Sequence, residues 1–163
     1  MARGPPAPKV RRFAATVTLA LPPERVFAYL EDAALRRQWI AGLEEIAFDQ
    51  PGIPRGAGTR FRQQIRTAGR SQEFAGLVTA YRPPQDAAIR LSRPGYSVDV
   101  EYRLAATESG TRVEQVVALT LPGWLALLAG RLAAWLLRRR MAQALARLKA
   151  AAEAGRASRS QPF

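Results

Sequence analysis

The sequence predicts an α+β fold in which a curved, seven-stranded antiparallel sheet packs on a long C-terminal helix, with two short helices after the first strand. Two observations carry this prediction. Between residues 43 and 120, apolar segments of strand length are separated by Gly and Pro turn signals. From about 124 to 154 the chain is rich in Ala, Leu and Arg, which are strong helix formers. Such a helix buries its apolar face most simply against one face of the sheet.

The elements before residue 43 follow from alternation and turn residues. Residues 13–20 alternate between apolar and polar positions, which predicts a strand with one buried face. Pro22 and Pro23 end this strand and suit a helix start. Residues 24–39 have helical spacing, and Asp32 is expected to cap a second short helix. Glu31 and Asp32 are expected to face water at this junction.

The remaining strands are placed by the turn signals between them. They are predicted at about 43–49, 59–68, 72–81, 87–92, 97–106 and 112–120. Their short connections predict antiparallel pairing.

The length of 163 residues fits one domain, predicted over residues 13–153. The Pro- and Arg-containing residues 1–12 are expected to form a disordered basic arm, and residues 154–163 a disordered tail. The start of the chain has no signal-peptide pattern, so a cytoplasmic location is expected.

Three residue types are missing, which excludes several classes of site. The chain contains no Cys, His or Asn. Disulfides, Ser-His and Cys-His catalytic pairs, and zinc sites built from His or Cys are therefore excluded. We expect no cofactor and no metal. Any chemistry would have to use Asp, Glu, Tyr, Arg, Lys, Ser or Thr.

The net charge of +12 is concentrated at the two ends of the chain. Residues 13–130 carry a net charge of only +1, whereas residues 131–163 carry +7. Basic ends suit an anionic membrane surface or a nucleic acid, or they are simply solvated. A specific nucleic-acid partner is disfavoured because the aromatic residues are not interleaved with the basic ends.

Three stretches carry a resemblance to a known family: VTLALPPERVFAYLEDAALRRQWIAGL at 17–43, YRLAATESGTRVEQVVAL at 102–119 and ALARLKAAAE at 144–153. They resemble the SRPBCC or START-like superfamily, in its polyketide cyclase/dehydrase-like branch. The resemblance covers nearly all of residues 13–153. It implies a helix-grip fold with a hydrophobic cavity between the sheet and the C-terminal helix. Similar proteins include lipid carriers, metabolite receptors and aromatase/cyclases, so the resemblance does not settle the function.

Three polar side chains fall on predicted apolar strand faces: Gln63, Tyr102 and Gln115. Within a cavity they would orient a ligand, and otherwise they lie near strand ends or bond to one another. Phe27 and Trp39 are added because their helical segment caps one cavity end in the resembled fold. The other candidate ligand-binding residues are Phe61, Val100, Val117, Ala134, Leu137 and Met141.

The predicted C-terminal helix carries a second apolar surface, which includes Leu128, Leu132 and Trp135 and is followed by Arg138, Arg139 and Arg140. One interpretation is peripheral contact with an anionic membrane at its inner surface. The alternatives are a homodimer interface, or a helix bent at Gly130 whose first turns line the cavity mouth.

No group of acid and base residues occurs at a spacing that indicates catalysis. The sequence therefore favours binding, and transport, of an apolar small molecule or lipid. The alternative is an aldol-type polyketide cyclase/dehydrase that uses neither a metal nor a nucleotide cofactor.

Overall fold

Seven strands form one antiparallel sheet in the computed structural model, which describes residues 8–123 and 130–157. The strands are β1 (Lys9–Leu19), β2 (Leu43–Phe48), β3 (Arg60–Thr67), β4 (Arg70–Arg82), β5 (Asp86–Arg93), β6 (Tyr96–Thr107) and β7 (Gly110–Leu121). Their order across the sheet is β1-β7-β6-β5-β4-β3-β2. The predicted strands are confirmed, and only β1 reaches its sheet neighbour through a long connection in sequence.

Two short helices follow β1, and a long helix follows β7. They are α1 (Pro23–Glu31), α2 (Ala33–Trp39) and α3 (Gly130–Ala157). The Asp32 carboxylate accepts a hydrogen bond from the backbone N–H of Leu35 at 2.9 Å, which confirms the predicted cap of α2. The predicted start of the long helix at 124 lies outside the described residues.

The prediction of a disordered arm over residues 1–12 is partly wrong, because residues 9–12 belong to β1. Lys9 pairs with Leu121, and Arg12 pairs with Ala118. Basic side chains are compatible with an edge strand, since pairing is made by the backbone and surface charge protects the edge from further pairing. The prediction for residues 1–7 concerns positions outside the described part of the chain.

The C-terminal part of α3 hydrogen-bonds the end of β1, an edge strand, and Ala20, the residue that follows it. Lys149 donates to the carbonyl oxygen of Thr18 at 3.0 Å, and Arg156 donates to that of Ala20 at 2.8 Å. The backbone N–H of Ala20 donates to the Glu153 carboxylate at 3.1 Å. The Arg156 bond lies past the predicted helix end at 154, in the part of α3 that the prediction had assigned to the tail. Residues 158–163 of the predicted tail lie outside the description.

We predict that deletion of residues 1–12 destabilises the protein, whereas deletion of residues 1–7 does not. The longer deletion removes four residues of β1 from their pairing with β7. Each lost backbone hydrogen bond costs about 1 kcal/mol, so the free energy of unfolding should fall by roughly 2 kcal/mol or more. Urea denaturation measures the difference. Equal midpoints for the two truncations would show that the start of β1 contributes nothing to stability.

The buried apolar residues form three clusters that together position the concave face of the sheet. The largest joins the end of β1 to α1, α2 and α3 and includes Leu19, Val26, Trp39, Val113 and Leu148. A second cluster lies at the β3–β5 side of the sheet, around Phe61, Phe74, Val78 and Leu91. The third packs Met141 of α3 against Phe13 and Val117.

Candidate functional site

The strand register aligns the inward-facing side chains in rows across the sheet. One row consists of Phe13, Val117, Val100, Ile89 and Val78. The adjacent row consists of Ala15, Gln115, Tyr102, Ala87 and Tyr81. The concave face therefore has an apolar row beside a row that carries polar groups.

This apolar row is only partly covered. α3 packs on β1, α1 and α2, and its Ala134, Leu137 and Met141 cover the Phe13 and Val117 end of the row. Val100 packs against the same cluster but, like Ile89, is only half-buried. Among the described residues, α3 therefore covers this row incompletely toward the middle of the sheet.

The three predicted polar residues face inward, as the alternation indicated. Gln63 and Gln115 are buried, with 2% and 6% of their surface exposed, and Tyr102 is half-buried. The opposite face of β3 exposes Arg60 and Arg62.

Two of these residues are partners of each other. The Gln115 side-chain amide donates to the Tyr102 hydroxyl at 3.0 Å. Among the described residues, the other side-chain atom of Gln115, the carbonyl oxygen Oε1, is buried without a hydrogen-bond partner. Burial raises the pKa of Tyr102, so this phenol is neutral at physiological pH. The pair can therefore offer an acceptor to a bound molecule.

A cavity lies where α1 and α2 meet β2 to β5, and its volume is about 40 Å³. Much of its wall is apolar, with contributions from Phe27, Leu30, Phe61, Val78 and Ile89. Four polar side chains also line it: Glu31, Arg36, Arg55 and Tyr81. The described lining comes from the two short helices, the sheet and Arg55 of the β2–β3 connection, whereas the family resemblance implied a cavity against the C-terminal helix.

Arg36 is the most buried charged residue of this cavity, with 8% of its surface exposed. Its Nη2 group donates to the Gln63 side-chain oxygen at 3.4 Å, a long hydrogen bond. Burial is the main cause that lowers the pKa of Arg36 from its ordinary value, and the positive charge of Arg55 acts in the same direction. An arginine nevertheless keeps its proton in a protein, so a positive charge lies inside the cavity wall.

Glu31 and Tyr81 form the second polar contact of the cavity. The Tyr81 hydroxyl donates to the Glu31 carboxylate at 2.7 Å. Burial, followed by this hydrogen bond, raises the pKa of Tyr81 to about 12. Arg55 donates to the backbone carbonyl oxygen of Glu31, and its guanidinium lies 4.4 Å from the centre of the Phe48 ring. The expectation that Glu31 faces water is therefore wrong, because the end of α1 is turned toward β4.

The structure divides the predicted ligand-binding residues into three groups. Phe27 and Phe61 line the cavity, and Gln63 accepts a hydrogen bond from Arg36, which also lines it. Tyr102 and Gln115 lie along the concave face, with the ring of Trp39 at 6.1 Å from that of Tyr102. The third group lies at the α3 side and comprises Val100, Val117, Ala134, Leu137 and Met141.

Sequence reasoning did not identify Arg36, Arg55 or Tyr81 as site residues. A signal for Arg36 was available, since its i, i+3 spacing places it on the same helix face as Trp39. Both are buried on α2. Arg55 lies in the connection between β2 and β3. A connection has no helix or strand period, so the sequence does not predict which way its side chains point.

The exposed apolar surface predicted on the long helix is present in the described part of α3. Leu132 is 70% exposed and Trp135 is 52% exposed, with the Arg139 guanidinium 5.3 Å from the Trp135 ring. Arg138 and Arg140 are also exposed, although Arg138 lies over Phe13 at 5.7 Å. Leu128 lies outside the described residues.

Two classes of feature were not found in residues 8–123 and 130–157. No helix there is long and apolar enough to cross a membrane. No group of three or more acidic, His or Cys side chains is placed to hold a metal ion.

Together, the curved sheet, the two short helices after β1 and the long C-terminal helix define a helix-grip fold of the SRPBCC or START-like type. The family model described as polyketide cyclase/dehydrase and lipid transport matches residues 10–153. The chain belongs to this family, whose fold holds hydrophobic ligands. No curated protein matches the sequence.

Solved structures similar to this chain confirm the fold. A protein of unknown function from Staphylococcus aureus is 12% identical with a TM-score of 0.74, and the match covers 91% of this chain and 96% of that one. A Rhodobacter sphaeroides protein is 21% identical with a TM-score of 0.69, over 91% and 99% of the two chains. The di-domain ARO/CYC StfQ from the steffimycin biosynthetic pathway is 15% identical with a TM-score of 0.71, over 91% of this chain and 52% of StfQ.

Proposed function

We propose that the protein binds an apolar small molecule along the concave face of the sheet. The observation that carries this proposal is the unpartnered Gln115 Oε1 atom, which is buried beside the half-exposed apolar row. A buried polar atom costs free energy unless it gains a hydrogen-bond partner. A ligand with a hydroxyl or N–H group would supply that partner while its apolar body covers Ile89 and Val100.

The small size of the cavity determines how such a ligand would lie. Pockets for ligands of drug size have volumes of about 300–1,000 Å³, whereas the cavity lined by Arg36 holds about 40 Å³. The cavity therefore accommodates one end group, and the body of the ligand would lie on the apolar row. Ile89 and Val78 belong to both the cavity wall and the row, so the two regions adjoin.

A neutral apolar dye, N-phenyl-1-naphthylamine, tests this proposal. Its fluorescence should increase on addition of the protein and saturate at one dye per chain, because a concave site is finite. Replacing Val100 with Trp should reduce this binding by filling the row. A signal that rises without saturation, or that is unaffected by the Val100→Trp change, would contradict the proposal.

We predict that the Gln115→Leu variant loses its preference for ligands that carry a hydrogen-bond donor. Competition of 2-naphthol and naphthalene for the dye site measures this preference. One hydrogen bond contributes about 1 kcal/mol, so the preference of the wild type for 2-naphthol should fall by about fivefold in the variant.

Gln64→Leu is the matched control, because Gln64 lies on the opposite face of β3. It should leave the preference unchanged. Equal preferences in the wild type and the Gln115→Leu variant would show that Gln115 does not contact the ligand.

Catalysis by a cyclase/dehydrase mechanism is the second candidate function. The Tyr81 and Glu31 pair favours it, since a phenol and a carboxylate joined at 2.7 Å in a cavity can donate and accept protons. Incubation with a poly-β-ketone thioester distinguishes the two functions. A cyclic product or the loss of one water, both abolished by Tyr81→Phe, would indicate an enzyme, and recovery of unchanged ligand would indicate a binder.

We also propose that the exposed surface of α3 contacts an anionic bilayer, which would make this a peripheral protein at the inner membrane surface. Leu132 and Trp135 offer apolar area beside Arg138, Arg139 and Arg140. A basic residue contributes about 1 kcal/mol near an anionic membrane. Replacing the three arginines by Glu should therefore weaken co-sedimentation with phosphatidylglycerol-containing vesicles by about 100-fold or more.

The matched control replaces Arg60, Arg62 and Arg70 by Glu, which changes the net charge equally on exposed sheet positions. This control should retain most of the vesicle binding. A stable dimer in solution without vesicle binding would instead assign the α3 surface to self-association.

A further inference from the structure

Arg36 is buried in the cavity wall without a counter-ion. Among the described residues, no carboxylate lies within 4.0 Å of its guanidinium or of that of Arg55. A guanidinium has five N–H donors, and Arg36 uses one of them, in the 3.4 Å contact with Gln63. Isolated buried charges are costly and are normally paired. Among the described residues, Gln115 Oε1 is the one fully buried polar side-chain atom without a partner, so the unused Arg36 donors reach accessible space, where an anion or water can pair with them.

The charges that line the cavity favour a bound anion. Arg36 and Arg55 contribute two positive charges, and Glu31 contributes one negative charge. The Glu31 carboxylate accepts the Tyr81 hydroxyl hydrogen bond, so it is directed toward β4. One positive charge remains uncompensated, which a monoanion would neutralise.

The charge of the cavity lining indicates which anion fits. A carboxylate carries one negative charge and so matches the single uncompensated positive charge. A phosphate monoester carries about −1.5 to −2 at pH 7 and exceeds it. The planar guanidinium also matches a carboxylate in geometry, through two parallel N–H···O bonds.

We propose that Arg36, assisted by Arg55, binds the carboxylate of a ligand whose apolar body lies on the concave face. This inference rests on the proposed binding function and specifies its ligand class as an apolar carboxylic acid. Arg36 provides the charge-assisted hydrogen bonds. Arg55, held by the Glu31 backbone and the Phe48 ring, adds a second positive charge to the cavity lining.

Competition for the N-phenyl-1-naphthylamine site tests the proposal with three ligands of equal chain length: decanoate, 1-decanol and decyl phosphate. At neutral pH the wild type should bind decanoate at least 10-fold more tightly than 1-decanol, because only the acid forms charge-assisted bonds. Decyl phosphate should bind more weakly than decanoate because its charge, about −1.5 to −2 at pH 7, exceeds the one uncompensated positive charge of the cavity lining. A preference for decyl phosphate would overturn the assignment to carboxylates.

Arg36→Met should reduce decanoate affinity on the order of 10- to 100-fold and leave 1-decanol affinity unchanged. The matched control is Arg37→Met, since Arg37 is the exposed neighbour on the same helix. The control should leave both affinities unchanged. A parallel loss of decanoate and 1-decanol in the Arg36→Met variant would indicate a structural role and overturn the proposal.

A spectroscopic measurement on the wild type keeps the proposal testable if the Arg36→Met variant does not fold. The ¹³C shift of carboxyl-labelled decanoate reports its ionisation as the pH is lowered. Bound to the wild type, the carboxyl group should have a lowered pKa, because a neighbouring guanidinium stabilises its charged form. An unshifted or raised pKa would overturn the anion site.

The dye and competition measurements distinguish a failure of the carboxylate site from a failure of the proposed binding function. Saturable dye binding with equal affinities for decanoate and 1-decanol would overturn the carboxylate site and leave the proposed function standing. Absence of saturable dye binding would overturn the proposed function, and the carboxylate site with it.

Discussion

Replacing Trp39 with Ala is expected to lower the free energy of unfolding by about 3–5 kcal/mol, the usual cost of removing a large aromatic from a core. Trp39 is 2% exposed in the cluster that joins α1, α2, α3 and the sheet. Its indole N–H donates to the carbonyl oxygen of Tyr29 at 2.9 Å, so the substitution also leaves that oxygen without its partner. Since whole domains are stable by about 5–15 kcal/mol, the variant should be close to unfolding at moderate temperature.

Trp135→Ala is the matched control, because the same side chain is removed from an exposed position on α3. Its effect on unfolding should stay within about 0.5 kcal/mol. Urea denaturation followed by circular dichroism compares the two variants. Similar midpoints for both would show that Trp39 does not pack as a core residue.

The second large loss of stability is expected for the Gly110→Ala variant, at the start of β7. Gly110 has φ of 141°, and an added Cβ atom would lie 2.0 Å from the carbonyl oxygen of Leu19. Because the obstructing atom belongs to the backbone, β1 and β7 would have to separate at this point. Strain and overpacking each cost about 1–3 kcal/mol, so the expected loss of stability is about 3–5 kcal/mol.

Separation at Gly110 would also disturb its neighbour Thr111, which is fully buried. The Thr111 hydroxyl donates to the carbonyl oxygen of Leu21 at 2.6 Å and fixes the link from β1 to α1. The α1 end of the cavity depends on this link, so ligand binding should weaken together with stability.

Gly95→Ala separates the backbone strain from the steric contact with Leu19. Gly95 has φ of 95°, and apart from its chain neighbours no atom lies within 4 Å of an added Cβ. This control carries the backbone strain alone, about 1–2 kcal/mol. Thermal unfolding of both variants measures the difference. Equal losses at the two glycines would show that the close approach of Leu19 is unimportant.

Much of the fold was predictable because local signals were strong and agreed with one another. Alternation in β6 and β7 placed Tyr102 and Gln115 on the inner face, and the Asp32 cap separated α1 from α2. The start of β1 was not predictable in this way. Residues 9–12 pair because β7 presents a backbone edge as far as Leu121, which is a property of the partner strand.

The candidate site was predictable only in part. The sequence by itself determined which residues face inward, since a strand has a period of two and the inner face must be apolar. It could not determine that Tyr102 and Gln115 bond to each other, because that depends on the register between two strands.

Only the tertiary structure brought Arg36, Arg55, Glu31 and Tyr81 to one cavity. These residues come from two helices, a connection and a strand, and their spacing in sequence has no period that links them. Burial of Arg36 depends on how α2 lies against the sheet, and Trp39, one turn further along α2, is part of the apolar cluster that packs there. The chain thus determines its strands and helices locally, whereas the uncompensated charge that defines the proposed ligand arises from packing over long distances in sequence.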